Sequence, residues 1–440
     1  MLLSIEKLIY GGDGLAHLPA DASGRGKAVF VPFVLSGEKV DAAISEQKAG
    51  FARAKLERIV EPSPHRIQRG CPYFGSCGGC HYQHASYDHQ IEIKKQVLRE
   101  TIERTAKIEL PVEIEVHPSP PWNYRNRSRL QLQTRPDFAI GYYKMSSHEL
   151  LPVEQCPISS PLINRGIAMM WEMGRKGRVP GGAAEIEFFA NADDSELLLE
   201  LSCTADARRS AVRECAEEMQ AALPEIRGIA GFRKSGSGTE DRLLNLGEGH
   251  LTYKTPKSAY RVSAGSFFQT NRHLTDELVK IVTSGQSGEL ALDLYAGVGL
   301  FSTALACDFR HIFSVESSQT SAGDLAYNLP SNGEAIRATT EQYLARAENA
   351  KSGKGIAQSG KTETPSLVIV DPPRSGLGER VARRLAISGA PRVVYVSCDP
   401  ATLARDLGAF LSSGYRIDHA HLVDLFPQTF HIETVVHLVR

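Results

Sequence analysis

The sequence has almost no net charge and no long apolar run. Lys and Arg number 50 and Asp and Glu number 51, which gives a net charge of −1 over 440 residues. No overall basic field therefore attracts nucleic acid, and any such site has to be a local patch. No apolar stretch approaches a membrane span, and the first residues lack the pattern of a signal peptide. We therefore expect a cytoplasmic, monomeric protein with no membrane partner.

Disulfides are not expected among the eight cysteines of a cytoplasmic chain, so these thiols should be ligands, nucleophiles or core residues. Three of them are closely spaced with glycines between them, and a fourth lies downstream: Cys71, Cys77, Cys80 and Cys156. Four thiolates on such a loop suit an iron–sulfur cluster or zinc. The spacing favours the cluster, because zinc sites more often use two CxxC pairs. His81 and His84 are alternative zinc ligands, but His81 adjoins Cys80 and could hardly chelate with it.

The pattern of strand-like and helix-like segments changes twice along the chain, which predicts three domains. Residues 1–62 contain short apolar runs with turn signals, typical of a small β-barrel of the OB-like kind. Residues 63–260 mix strand-like and helix-like stretches and predict an α+β domain with the cysteine segment. Within it, 88–105 reads as a helix that could pack on the C-terminal domain. From 261 to 440, apolar strands alternate with helices, which predicts an α/β domain with a doubly wound, mostly parallel sheet.

A glycine turn marks a nucleoside site in the C-terminal domain. In DLYAGVGLFS (293–302), Gly297 and Gly299 lie between a strand and a helix, where a ligand can approach the backbone. Glu316, at the end of the next strand, can accept hydrogen bonds from ribose hydroxyls. A dinucleotide fingerprint would have a third glycine where Ser302 stands. The pattern therefore favours S-adenosylmethionine over NAD.

Cys398 ends an apolar strand and precedes a helix with Asp399 at its cap and Pro400 in its first turn. The partial positive charge of a helix N-terminus favours a thiolate, so Cys398 is a candidate nucleophile. On this segment alone, a packed core cysteine is an equal alternative. Glu433, just before another apolar strand, could act as a general base if burial tunes its pKa.

Three further segments are informative. DPPRSG (371–376) follows a strand and has Arg374 where amino-methylating enzymes carry a base-stacking aromatic, which disfavours an exocyclic amine as target. The basic stretch formed by 124–129 and Arg135 suits either phosphate contact or a solvated strand face. Residues 355–362 match a phosphate-binding loop, but no strand precedes them and Pro365 blocks the required helix. We interpret 350–366 as an inserted loop.

Taken together, these motifs resemble one family, the S-adenosylmethionine-dependent RNA uracil-5-methyltransferases. The resemblance covers the whole chain and rests on motifs in this order: CPYFGSCGGCHYQH with Cys156, YRNRSRLQ, FFQTNR, DLYAGVGLFS, VES, DPPRSG, VSCDPATLARDL and HIETVVHL. It implies a TRAM RNA-binding barrel at 1–62 and a [4Fe-4S] cluster on the four cysteines. It also implies RNA-contacting strands within 63–260 and a Rossmann-like class I methyltransferase domain at 261–440.

The resemblance also implies residue roles. Cys398 would add to carbon 6 of uracil and Glu433 would act as the base. The S-adenosylmethionine site would be lined by Gln269, Tyr295, Glu316 and Asp371. Leu300 departs from the family pattern, where many members have a polar residue. The barrel and the cysteine set point to 23S ribosomal RNA as the partner, because members acting on transfer RNA tend to lack both. A transfer RNA enzyme, a cytosine-5 methyltransferase and a non-catalytic RNA-binding or ribosome assembly factor stay open as alternatives.

Overall fold

A computed structural model describes residues 1–19, 26–234, 240–351 and 364–440 of the chain. The phosphate-loop match and most of the inserted loop predicted at 350–366 fall outside these residues. Within the described ranges, the strands form three large sheets and one two-stranded hairpin. None of the helices in the same ranges combines the length and apolarity needed to cross a membrane.

The N-terminal sheet has six strands in the order β1-β5-β6-β4-β3-β2. Their bounds are β1 Leu2–Ser4, β2 Lys7–Leu8, β3 Gly14–His17, β4 Ala28–Val31, β5 Lys39–Gln47 and β6 Phe51–Glu61. Alternate side chains are buried, such as Val29 and Val31 of β4 and Ala52 and Ala54 of β6. This period of two places small apolar residues on one face of each strand. The short apolar runs of the sequence therefore build one small core.

The middle of the chain forms a seven-stranded sheet in the order β10-β9-β8-β11-β12-β13-β14, and β15 and β16 form a separate hairpin. The elements of this region are α1 Tyr87–Ala106, β7 Ile114–His117, β8 Arg127–Gln133, β9 Ala139–Tyr143, β10 Leu150–Pro152, α2 Pro161–Arg175, β11 Ala183–Ala190, β12 Leu197–Cys203, α3 Arg209–Ala222, β13 Ile226–Lys234, β14 Glu240–Gly247, β15 His250–Lys254 and β16 Ala259–Ser263. Helices α2 and α3 share one apolar core with this sheet.

The C-terminal sheet has eight strands in the order β19-β18-β17-β20-β21-β23-β22-β7. Its remaining elements are α4 Thr275–Thr283, β17 Gly288–Leu294, α5 Leu300–Ala304, β18 Phe309–Glu316, α6 Gln319–Asn328, β19 Gly333–Arg337, α7 Thr340–Lys351, β20 Leu367–Val370, α8 Gly378–Ile387, β21 Arg392–Ser397, α9 Pro400–Leu411, β22 Arg416–Val423 and β23 Glu433–Val439. Strands β17 to β21 pair in parallel, and β23 is antiparallel to β21 and β22. Apolar clusters cover both faces, which explains the unbroken apolar runs of these strands.

Residues 87–117 join this C-terminal sheet although they lie far from it in sequence. Helix α1 buries Val97, Leu98 and Ile102 in the same cluster as Leu407 and Phe410 of α9. Strand β7 pairs in parallel with β22 at the sheet edge. Phe189, Leu198 and Ala230 of the middle sheet also lie in one apolar cluster with residues of the C-terminal sheet, so the two sheets share part of a core.

The order of the parallel strands reverses beside β17. From β17 the chain proceeds to β18 and β19 on one side, then returns to β20 on the other side. The crevice beyond the carboxyl ends of such strands is where open α/β sheets bind ligands.

Candidate active site

The carboxyl edge of the C-terminal sheet gathers five of the residues that the sequence singles out. Tyr295 follows β17, Glu316 ends β18, Asp371 follows β20 and Cys398 follows β21. Glu433 begins β23, which is antiparallel to β21 with Thr434 opposite Ser397, so it lies at the same edge. The fold thus brings together side chains up to 138 positions apart in the sequence, from 295 to 433.

The glycine turn after β17 is held by Glu316. One carboxylate oxygen of Glu316 accepts the backbone N–H of Gly297 at 3.0 Å, and the other accepts the N–H of Ser318 at 2.6 Å. Tyr295, Gly297 and Gly299 all have positive φ, at 62°, 56° and 92°. The glycines carry no Cβ penalty there, whereas Tyr295 is held in a costly conformation of the kind that clusters at functional sites. The free lone pairs of Glu316 remain able to accept ribose hydroxyls.

Gln269 is buried in the segment between β16 and α4. Phe268 packs beside it against Tyr253, with ring centroids 4.5 Å apart. Asn271 donates to the Leu425 carbonyl at 3.1 Å, in the loop that leads to Glu433. The segment is therefore fixed to both the core and the loop before β23, which gives Gln269 a defined position.

The pKa of the Cys398 thiol is raised in the structure, whereas the sequence suggested a neighbourhood that favours the thiolate. Its pKa is raised to about 12, chiefly by burial and then by the charges of Glu433 and Asp371, with Arg374 acting in the opposite direction. Asp399 does cap α9, accepting the N–H groups of Ala401 and Thr402. Burial and two nearby carboxyl groups therefore act against the thiolate that the helix N-terminus was expected to favour.

Three buried carboxyl groups share this site, and sequence analysis missed one of them. Burial raises the pKa of Asp293 and of Asp371 to about 7, and Asp293 also raises that of Asp371. The pKa of Glu433 is raised well above its usual value by burial and by Asp371. Asp293 accepts a hydrogen bond from Ser302, which stands where a dinucleotide fingerprint has glycine. Groups with pKa values near neutrality in a crevice are suited to proton transfer.

The raised pKa of Cys398 gives a testable pH dependence. Below its pKa the thiolate fraction rises about tenfold per pH unit, so alkylation of Cys398 by iodoacetamide should rise steeply from pH 7 to pH 10. Glu433→Gln should react faster at pH values where Glu433 is ionised, because it removes the first of the charges that raise the pKa of Cys398. Peptide mass spectrometry resolves this site, and the exposed Cys307 is the reference for the reagent. A Cys398 rate that is flat above pH 7 contradicts the prediction.

The loop before Glu433 is anchored by distant parts of the chain. The buried Lys94 of α1 pairs with Asp424 at 2.6 Å, and Tyr124 donates to the Pro427 carbonyl at 3.0 Å. The backbone N–H groups of His81 and Tyr82 both donate to the Gln428 carbonyl. These contacts fix the approach of the chain to Glu433 and link that loop to the cysteine segment.

The N-terminal domain also reaches the carboxyl edge of the C-terminal sheet. The ring of Tyr10 lies edge-on to Phe430 with centroids 5.5 Å apart. Its hydroxyl bonds to Asp399, and burial together with the Asp399 charge raises the pKa of Tyr10. The N-terminal domain thus supports the residue that follows Cys398.

The four cysteines of the sequence pattern line one cavity of about 330 Å³. Burial, with a smaller effect of the other thiols, raises the pKa of Cys77 to about 11 and that of Cys80 to about 12. Among the described residues, no three of these sulfurs lie within 4.8 Å of one another. His81 and His84 do not line the cavity; His84 instead contacts the Val34 carbonyl. Arg374 and His431 do line it, so the cavity adjoins the carboxyl edge of the C-terminal sheet.

The basic stretch at 124–129 is mostly used inside the protein. Tyr124 and Asn126 are buried, and Arg127 pairs with Glu187 and Glu200. Neither phosphate contact nor a solvated face describes these three residues. Arg129 differs, since its side chain is 52% exposed although it also pairs with Glu187.

Comparison with known proteins decides the family. The family model for tRNA (Uracil-5-)-methyltransferase matches residues 86–440, and the TRAM domain model matches residues 1–56. The chain belongs to the tRNA (uracil-5-)-methyltransferase family. It is an RNA (uracil-5-)-methyltransferase with S-adenosylmethionine-dependent chemistry and an N-terminal TRAM domain, which confirms the resemblance drawn from the motifs.

Relatives of this methyltransferase match it over nearly its whole length. A protein of Aquifex aeolicus described as an uncharacterized RNA methyltransferase is 33% identical, covering 98% of this chain and 97% of the relative. One of Listeria monocytogenes with the same description is 31% identical, covering 99% and 96%. The structure of Pyrococcus abyssi tRNA (uracil-54, C5)-methyltransferase with S-adenosyl-L-homocysteine has a TM-score of 0.75 at 24% identity, covering all of both chains. That structural likeness shows a shared fold.

Proposed function

We propose that this methyltransferase transfers a methyl group from S-adenosylmethionine to carbon 5 of a uridine in RNA through a covalent adduct with Cys398. The observation that carries the proposal is the position of Cys398 and Glu433 at one sheet edge, where Cys398 directly follows β21 and Glu433 begins the neighbouring strand β23. Glu433 is also the strongest charge acting on the Cys398 thiol. Because the charge of Glu433 affects the pKa of Cys398, the two groups are close enough to act on one ring as nucleophile and base.

The chemistry follows from the weak nucleophilicity of uracil carbon 5. The Cys398 thiolate forms a bond to carbon 6, and the electrons of the carbon 5–carbon 6 double bond move into an enolate. Carbon 5 then attacks the methyl carbon, and the sulfonium–methyl bond breaks. Glu433 takes the proton from carbon 5, the double bond re-forms, and the bond between carbon 6 and sulfur breaks to release the thiolate. Covalent catalysis of this kind divides one difficult step into easier ones.

The remaining predicted roles belong to the same proposal. Tyr295, Glu316 and Gln269 would bind S-adenosylmethionine around the glycine turn, with Asp371 beside them. Asp371 lies between this turn and Glu433, since its charge affects both Glu433 and Cys398. It could therefore also orient the uracil edge. The target base has to leave its stack to reach Cys398, which indicates a loop or a remodelled RNA segment.

We propose further that Cys71, Cys77, Cys80 and Cys156 hold a [4Fe-4S] cluster. A tetrahedral zinc ion with bonds of about 2.3 Å would hold four sulfurs about 3.8 Å apart. No three of these sulfurs lie within 4.8 Å of one another in the described part of the chain, and their cavity of about 330 Å³ has room for a larger group. Burial and the neighbouring thiols raise the pKa of Cys71, Cys77 and Cys80, and a cationic iron core would bind these thiols as thiolates. When bound, the cluster would supply a structural link between the cysteine loop and the catalytic edge.

The cluster assignment predicts the effect of removing one ligand. Cys80→Ser, made and purified without oxygen, should lose most of its iron and sulfide and unfold at a lower temperature, because three thiolates hold the cluster less well. Iron and sulfide assays and thermal unfolding measure this. Cys307→Ser is the matched control, since Cys307 is exposed and should change neither quantity. Full iron in Cys80→Ser, or zinc in place of iron in the unaltered protein, contradicts the assignment.

For the RNA, we propose 23S ribosomal RNA as the substrate and transfer RNA as the alternative. The N-terminal sheet offers an RNA surface where Lys48 and Arg53 lie over the ring of Phe51, at 5.7 and 5.9 Å, beside Phe30. Cations with aromatic rings are typical of single-strand binding. Transfer RNA stays the alternative because the chain shares its fold, over its full length, with a methyltransferase of transfer RNA. A shared fold does not decide which RNA is bound.

The test uses anaerobically purified, cluster-loaded protein. Labelled S-adenosylmethionine is supplied with unmodified 23S ribosomal RNA or unmodified transfer RNA, and the methylated nucleoside is identified by mass after digestion. We expect 5-methyluridine from ribosomal RNA. 5-Methyluridine from transfer RNA alone keeps the chemistry and overturns the substrate. A different methylated nucleoside, such as 5-methylcytidine, overturns the proposed target base.

A further inference from the structure

A second group of ligand-type side chains lies at the far edge of the C-terminal sheet. Glu115 and His117 are alternate residues of β7, and His419 and His421 are alternate residues of β22. The two strands pair with His421 opposite Glu115. Alternate residues of a strand point to one face of its sheet. His437 of β23 lies opposite His419 and extends the group.

Three of these side chains approach as closely as ligands of one ion. His117 Nε2 lies 3.1 Å from His421 Nδ1, and Glu115 Oε2 lies 3.7 Å from the same nitrogen. The three ligand atoms all lie within 4.8 Å of one another. With bonds of about 2.1 Å, these separations correspond to angles of about 95° and about 125° at a central ion. Two imidazoles and one carboxylate at such angles leave at least one position open.

A fourth residue orients the first imidazole. His117 Nδ1 lies 3.3 Å from a carboxylate oxygen of Glu277 on α4. Histidines that bind metals usually donate their second ring N–H to a carboxylate, which fixes the tautomer with the other nitrogen free. Here the free nitrogen is Nε2, the atom that faces His421.

The surroundings allow an ion to enter and to complete its coordination. Glu115 is 55% exposed while His421 is only 11% exposed, so the group is open on the carboxylate side. A cavity of about 470 Å³ adjoins it and is also lined by His437. The Nε2 atom of His437 is buried and has no hydrogen-bond partner within the described part of the chain. A water could take the open position, with His437 beside the cavity as a hydrogen-bond partner for it.

We propose that Glu115, His117 and His421 form a binding site for a divalent transition-metal ion, in the first place zinc, with Glu277 as the residue that positions His117. Imidazole and carboxylate are ligands that zinc accepts in proteins. The ion would join β7 to β22 and, through Glu277, to α4. The His117 carbonyl accepts the N–H of Asp424 at 3.0 Å, where the loop toward Glu433 begins. The site would therefore fix strand β7 beside that loop.

The alternative account of the same contact needs no ion. A neutral His117 could share an N–H···N hydrogen bond with His421 at 3.1 Å. The two accounts differ in metal content, in cobalt spectra and in the effect of Glu277, and the experiment uses these differences.

The experiment titrates the full-length, cluster-loaded protein with zinc chloride after passage over a chelating resin. We expect one equivalent of zinc per chain in addition to the iron. His421→Gln should lose that equivalent, and Glu277→Gln should weaken zinc binding about 10- to 100-fold. His148→Gln, which changes an exposed histidine outside the group, should bind zinc normally. Cobalt in place of zinc should give a nitrogen and oxygen spectrum without thiolate charge transfer, which distinguishes this site from the cysteines.

Two results would overturn the proposal. One is the absence of stoichiometric zinc binding by the unaltered protein. The other is equal zinc binding by the unaltered protein, Glu277→Gln and His148→Gln. Glu277→Gln keeps the test decisive if His421→Gln fails to fold, because Glu277 is 38% exposed and its change leaves all three ligands in place.

Discussion

Cys398→Ala protein should transfer no measurable methyl group to RNA, a loss of at least about 10⁴-fold, the scale seen when a covalent nucleophile is removed. Without the thiolate no bond forms to carbon 6, and carbon 5 never gains the electron density that it needs to accept a methyl group. The measurement is single-turnover transfer of label from S-adenosylmethionine, followed by nucleoside analysis. The same reaction, quenched under denaturing conditions, should show no RNA attached to the protein.

The controls separate chemistry from folding. Cys398 is only partly exposed, and the alanine side chain is smaller, so the fold should survive with iron content and RNA affinity unchanged. Cys203→Ala changes another thiol, buried in the core of the middle sheet, and should keep its activity apart from a loss of stability. Methylation by Cys398→Ala at even one-hundredth of the normal rate would mean that the adduct is not on the reaction path.

Much of the C-terminal domain follows from local sequence. The four apolar runs predicted as strands are β17, β18, β20 and β21 of the structure, because strands buried on both faces need unbroken apolar residues. The start of α9 was equally predictable from the sequence, because Asp399 and Pro400 are strong helix-start signals. Local chemistry of this kind predicts which residues end each strand, and so which side chains reach the carboxyl edge.

What failed depends on contacts between distant residues. The Cys398 pKa is set by burial and by Glu433 and Asp371, which no local pattern around Cys398 reveals. Arg127 appeared free for RNA, but Glu187 and Glu200 lie beside it only after β8, β11 and β12 have paired. The weakly patterned β7 joins a sheet whose other strands begin at residue 288. Which distant segments come together depends on the whole fold, and the local sequence of each segment does not show its partner.

Glu433→Gln should let methyl transfer occur once and then stop the enzyme as a covalent complex with methylated RNA. The glutamine side chain has nearly the same shape but cannot take the proton from carbon 5, so the bond between carbon 6 and sulfur has no route to break. Steady-state turnover should fall about 10²- to 10⁴-fold, the range for loss of a general base. Methyl transfer in the first turnover should persist, and a protein–RNA species stable to denaturant should accumulate with the label in it.

The electrostatics of the site sharpen this last prediction. Burial and the charge of Asp371 raise the pKa of Glu433, so replacing the Glu433 carboxyl by an amide removes an unfavourable buried charge and should not lower the unfolding temperature. The same change lowers the Cys398 pKa, which should speed the first addition while the last step is blocked. Asp399→Asn is the comparison, because it alters the carboxylate that caps α9 beside the nucleophile yet leaves the base in place, and it should accumulate no adduct. Loss of the first turnover in Glu433→Gln, or normal release of methylated RNA from it, would remove Glu433 from the role of base.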